Sequence, residues 1–345
     1  MEAGRDPESA MERGMRKMTT TLTRWMPDYD EAASCFERAA TAFRLRKQYL
    51  RASEAYERAS QVRERLGEPR QAGKHMEACG TMLVEERRRV REVSPREGGD
   101  AGQEGAGEVS LDFGSKFTEA AELFALAGNE QAAAEALMKG GEHEMEEGRS
   151  LKAYAAYDAA ADQLCEAGAG AEAPRALREA ARAAVEGGAP ALACAALVKL
   201  ASLHSARGQV GSMCKAYLCC VTAWVAAGKV AEARMSLGDF VCVDGFEGSA
   251  EGDAAVGLVD AFASGERGRV KAAVGHDAFR YLDNFFANLA RRLPVPGTLP
   301  SRPGAAHSHS QSQSQSQSQS ELQSQSQSHS KDDDDDDDDE DEGLM

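Results

Sequence analysis

Glycine at fixed spacing constrains this chain more than any other feature. Gly128, Gly148, Gly168, Gly188, Gly208 and Gly228 fall twenty residues apart. Between them lie Ala-rich segments such as Glu130–Glu147 and Leu151–Ala167, with no proline in their interiors and few β-branched residues. Ala, Glu, Lys, Arg and Leu lose little freedom in a helix, and glycine supplies the left-handed residue that stops one. The spacing predicts one helix plus one turn as the repeating unit, and a hairpin of roughly 40 residues from two of them. A fixed period of this length marks an α-solenoid. The expected fold is all-α, a tetratricopeptide-like superhelix of antiparallel hairpins.

The same register runs backwards. Glu31–Ala40 and Arg51–Ser60 superpose at an offset of twenty, Phe36 falling on Tyr56 and Ala39 on Ala59. Small residues let two helix axes approach closely, and an aromatic ring fills the groove between hairpins. Pro7–Thr23 reads as a first helix, with Met11, Met15, Met18 and Leu22 on one face. Pro27 interrupts it, and Asp28 or Asp30 caps the next. Residues 28–92 read as three further helices, ending in the basic run Glu86–Arg91.

Ser94–Ser110 has the Gly, Pro and charge content of an inserted surface loop. In a C-terminal cap, Val256–Phe262 reads as one helix and Ala278–Gly297 as another, with Phe279, Leu282, Phe286 and Leu289 on one face. From Thr298, Ser-Gln repeats and eight consecutive aspartates cannot bury enough apolar area to offset ordering. The expected division is a helical domain over 1–297, carrying the insert at 94–110, and a disordered tail over 298–345.

Charge is unevenly placed. Of the net −17, the stretch Lys331–Met345 contributes −10, with eleven acidic residues and one lysine. Residues 1–92 carry nineteen Lys and Arg against sixteen Asp and Glu. This polarity suggests an acidic protein partner near the N-terminal half and a basic one near the C-terminal end, with no nucleic acid. The eight cysteines form no CxxC pair and no metal-spaced cluster with histidine, and read as reduced core residues of a cytosolic protein. No phosphate loop, GxSxG or HExxH motif occurs, and no carboxylate pair stands out as acid and base. The reading is a binding protein with no cofactor, and not an enzyme.

Leu22, Trp25 and Met26 gather apolar surface at the turn around Pro27, with Arg24 among them. Two readings stand for Trp25: a plug for the first end of the solenoid, or a loop that touches the membrane headgroup boundary.

Several strings go further than general repeat similarity: Trp25–Phe43 (WMPDYDEAASCFERAATAF), Ala72–Leu83 (AGKHMEACGTML), Asp244–Ser249 (DGFEGS) and Phe279–Asn284 (FRYLDN) leading to Pro294–Gly297. With the acidic end closing in Leu344, they resemble the soluble NSF attachment protein (SNAP) family, most of all its gamma type. The resemblance implies an adaptor that binds assembled SNARE complexes, syntaxin-type four-helix bundles, on a concave face. It recruits and stimulates the hexameric ATPase NSF, which pulls the bundles apart during membrane-fusion recycling.

By position, the resemblance makes Lys74, Arg175 and Lys215 SNARE-facing. Asp260 becomes the residue aimed at NSF, and Leu344 the penultimate leucine of stimulation. Asn129, Glu135, Ala263 and Ser264 depart from charged residues of the alpha type. Leu22, Trp25 and Met26 become membrane contacts of a peripheral protein on the cytosolic face of endomembranes. The runner-up is another tetratricopeptide-type scaffold or co-chaperone, although no repeated Lys/Asn clamp is found.

Overall fold

The computed structural model describes residues 6–20, 25–93, 111–168 and 170–293. Within them the chain is helical throughout: α1 (Pro7–Met18), α2 (Tyr29–Leu45), α3 (Tyr49–Arg65), α4 (Pro69–Val93), α5 (Phe113–Leu126), α6 (Glu130–Glu146), α7 (Ser150–Glu166), α8 (Ala173–Glu186), α9 (Pro190–Ala206), α10 (Val210–Ala226), α11 (Val230–Val241), α12 (Ala250–Ser264), α13 (Arg267–Val274) and α14 (Asn284–Arg291). A 3₁₀ turn, Asp277–Tyr281, precedes α14. Leu22, the 94–110 insert, Leu344 and the 298–345 tail lie outside the described residues.

The period of twenty has a simple composition. Helices α2, α3, α6, α7, α9 and α10 are each 17 residues long, roughly 26 Å at about 1.5 Å per residue. Three residues link most successive pairs, and the middle one is left-handed. Gly67, Gly128, Gly148, Gly188, Gly208 and Gly228 all have φ between 67° and 75°. Two backbone bonds close the link: Gly128 N–H donates to Ala125 O at 2.9 Å, and Asn129 N–H to Phe124 O at 2.9 Å. These are the two bonds of a Schellman stop. The α2–α3 link repeats the pattern with Lys47 in glycine's place, at φ 57°.

From α1 to α10 each helix packs on the next in sequence. The core between them is built mainly of alanine, with aromatic rings at intervals: Phe36, Phe43, Phe117 and Tyr157 are buried among Ala32, Ala39, Ala120 and Ala160. Some approaches allow no side chain at all. A Cβ on Gly140 would lie 2.9 Å from Phe117 Cβ, and one on Gly141 would lie 2.6 Å from the Tyr157 ring.

Helix α10 is largely apolar and buries eleven of its residues, as a helix does when neighbours cover most of its surface. Besides α9 and α11, it packs on α12 and α14. The DGFEGS loop serves this junction. Gly245 and Gly248 are left-handed, Ser249 caps α12 by accepting from Gly252 N–H, and Phe246 is fully buried edge-on to Tyr217 and Phe240.

Two sequence expectations need correction. The span read as one helix over Ala278–Gly297 is broken at Asp283, whose side chain caps α14 by accepting from Phe286 N–H at 3.0 Å. Phe279 and Leu282 therefore reach the core from a 3₁₀ turn and a link, with Phe286 following on α14. The first helix ends at Met18, not Thr23, and its Met15 is exposed. Of the cysteines, Cys165 and Cys242 are exposed and six are buried, all as free thiols. Burial pushes the Cys79 thiol up to about 12, which keeps it protonated and unreactive.

Lys47→Gly relieves a side chain held in the left-handed region and should gain about 1 kcal/mol, raising Tm by a few degrees. Gly188→Val imposes the reverse strain and should lose at least about 1–2 kcal/mol. Thermal unfolding of the two variants checks both signs.

Candidate protein-interaction face

Alternate helices share a layer, and ion pairs show which. Along the even-numbered helices, His75 of α4 meets Glu37 of α2, Lys139 of α6 meets Glu77 of α4, and Arg175 of α8 meets Glu142 of α6. Along the odd-numbered helices, Arg51 of α3 meets Glu8 of α1, Lys116 of α5 meets Glu57 of α3, and Lys199 of α9 meets Asp158 of α7. Lys74, Arg175 and Lys215 lie on α4, α8 and α10, all in the even layer.

Their surroundings differ. Lys74 is exposed beside a network that ties α2, α3 and α4 together. There His75 Nε2 lies 3.0 Å from Glu37 Oε1, and Arg63 Nη2 donates to the same oxygen at 2.8 Å. Arg63 Nη1 donates to Glu68 at 2.8 Å, and the His75 ring stacks on Tyr56. Burial holds the His75 imidazole below its usual 6.5, with Glu37 opposing and Arg63 and Lys74 reinforcing.

Arg175 is exposed, but its guanidinium donates to Glu142 at 3.4 Å. It shares a cavity of about 370 Å³ with Glu135, Lys139, Glu142 and Glu172. Lys215 is half-buried, its ammonium 6.0 Å from the centre of the Tyr281 ring. Asn129 has a local role at the start of α6, where its side chain accepts from Ala132 N–H at 3.2 Å. Asp260, exposed on α12, faces Arg234 of α11 at 3.4 Å.

At the other end, Trp25 is 88% exposed and Met26 78% exposed. The plug reading of Trp25 is thereby overturned, because the indole contributes nothing to the core. The chain just beyond these residues is fastened to α1. Asp28 N–H donates to Lys17 O at 3.0 Å, and the Lys17 ammonium pairs with Glu31 and Asp28. The hydrogen bond that Lys17 donates to Glu31 leads the causes that raise the Lys17 pKa.

The basic run of α4 has a role its sequence did not reveal. Helix α4 extends to 25 residues, and its overhang grips the end of α6. Arg87 and Arg91 both donate to Glu147, and Arg88 donates to Glu146 at 3.1 Å. Behind them Glu144 is buried, paired through one oxygen with Arg149, while its second oxygen has no hydrogen-bond partner and lies against Gly114. Among the described residues, no group of His, Cys, Asp and Glu is placed to hold a metal, and no helix is long and apolar enough to cross a membrane.

Two comparisons with known proteins bear on this arrangement. The family model described as "Soluble NSF attachment protein, SNAP" matches residues 5–89 and 112–293. The gamma-soluble NSF attachment protein of Arabidopsis thaliana is 27% identical over 292 residues, 84% of this chain and 92% of that relative.

His75 makes stability depend on pH. The unfolded chain takes up a proton near 6.5, while the folded chain takes it up only at lower pH. Stability should fall as pH drops through about 6.5 and level off below the folded value, because the unfolded state binds more protons in that window. Thermal midpoints measured across this range should decline less in His75→Gln than in the parent.

Proposed function

The chain belongs to the soluble NSF attachment protein family, and we propose that it is an adaptor of SNARE disassembly. It holds assembled bundles on the even-helix layer and recruits and stimulates the ATPase NSF, itself contributing no chemistry. The observation that carries this reading is the family match, which covers both sides of the insert and nearly the whole helical unit. The name of the Arabidopsis relative places it in the gamma type, and this chain's role in vesicle transport is inferred from that kinship.

The arrangement of charge supports the reading. Basic side chains on α4, α8 and α10 present cations along one layer, suited to an acidic helical bundle. Attraction of that kind steers encounter and weakens as salt rises. Asp260 and Leu344 are assigned to NSF, with the acidic run Asp332–Asp339 adding long-range attraction to basic patches. Burial of one leucine is worth roughly 1.5–3 kcal/mol, enough to gate productive recruitment. Trp25 and Met26, together with Leu22, are assigned to a peripheral contact with the cytosolic face of endomembranes; both of the described side chains are free to enter the headgroup layer.

The test is NSF ATPase rate on immobilised SNARE complex, comparing the full chain with one lacking Leu344 and Met345. Stimulation by the first and its loss in the second, with SNARE binding unchanged, is the expected result. Failure of the full chain to bind either partner would overturn the reading. In vesicle flotation, Trp25→Ser with Met26→Ser should reduce lipid association several-fold while leaving bundle binding in solution intact.

A further inference from the structure

Most ionised groups of the even layer are answered within the chain: Glu37 by Arg63 and His75, Glu77 by Lys139, and Glu142 by Arg175. One groove departs from that pattern. It has a volume of about 240 Å³, lies among α8, α9 and α10, and is closed at one side by the link into α14. Arg178 and Lys215 line it, with no carboxylate paired to either among the described residues. His204 also lines it, its Nδ1 held 2.7 Å from Gln209 Oε1. The floor is aliphatic, from Leu197, Leu200 and Leu282. The one acidic group, Asp283, is directed to capping α14.

We propose that this groove accepts a glutamate side chain of the partner, and that Arg178, in place of Arg175, is the contact that α8 makes. This rests on the reading of the partner as an acidic helical bundle. Arg175 would have to leave Glu142 to meet an acid, and Glu135 and Glu172 beside it repel one. Arg178 lies three positions further along the same helix, on a neighbouring part of its surface, and is exposed with no partner to give up among the described residues. Lys215 opposes it across the groove, steadied over the Tyr281 ring. The two cations receive the carboxylate, while the leucine floor covers the methylene stem that glutamate has and aspartate lacks.

The experiment measures binding by the full chain and its R175A, R178A and K215A variants. Two probes are used: an assembled SNARE bundle, and a helical peptide with a glutamate-rich face beside its all-glutamine counterpart. All three side chains are at the surface or half-buried, and thermal melts confirm that each variant folds. R178A and K215A should each weaken both acidic probes by about three- to tenfold and flatten their salt dependence, with R175A below about twofold. An R175A loss equal to or larger than that of R178A would overturn the proposal, as would equal binding of the glutamine peptide. Bundle binding that R178A leaves unchanged removes the groove but not the adaptor reading. Peptide binding that depends on Arg178, with no bundle binding, does the reverse. If neither probe binds, both fall.

Discussion

In the three-residue links the residue after the left-handed position does two things at once, and the array depends on it. Asn129 N–H closes the end of α5 by bonding to Phe124 O, and the Asn129 side chain then opens α6 by accepting from Ala132 N–H. Gln48, Arg149, Ala189, Gln209 and Lys229 hold the same dual position, closing one helix with their N–H and standing as N-cap of the next. A stop and a start that share one residue need only three residues of link. Seventeen plus three gives the period of twenty, and the constant link keeps the same faces turned inward at each level. Of these N-caps only Asn129 makes a side-chain capping bond. Elsewhere packing, more than capping, fixes where the next helix begins.

Packing of that kind requires small residues opposite large ones. Alanine and glycine bring the axes close, and a ring from the neighbouring helix occupies the space, as Phe117 does between Gly80 and Gly140. A two-layer array built this way always leaves an open apolar face at its end. The chain closes it by making α10 largely apolar and laying α12 and α14 against it. Towards the end of α4, continuity is kept by its overhang, whose arginines reach Glu146 and Glu147. Residues 94–110 interrupt the sequence there without interrupting the stack, since α4 and α5 still pack directly.

How much of this was legible in the chain follows from which interactions are local. Glycine spacing and Ala-rich segments act within twenty residues, so the helices from α2 to α10 were readable almost to their ends. The cap was harder. Phe279, Leu282, Phe286 and Leu289 fit a single helical stripe, yet Asp283 intervenes and finds a better bond as an N-cap. Periodicity alone does not register that competition between a helix interior and a cap. Trp25 was ambiguous because an indole suits a core and an interface equally well. Only the folded chain, which leaves the indole uncovered, decides that it is exposed. The basic run of α4 gave no sign of Glu146 and Glu147, which lie more than fifty residues away in the chain.

The same limit governs the reading of charge. A sequence reveals which side chains are ionised, and a fold reveals which are already answered. Arg175 and Arg178 are equivalent in type and close together on one helix, but Glu142 meets the first and, among the described residues, no carboxylate pairs with the second. An exposed pair such as Arg175–Glu142 is worth little to stability. It can still matter for recognition, because an incoming carboxylate must displace one that is already in place. Internal pairing thus makes much of the even layer electrically quiet and leaves attraction where cations are left over. A solenoid with many charges can in this way select a partner by the placement of a few.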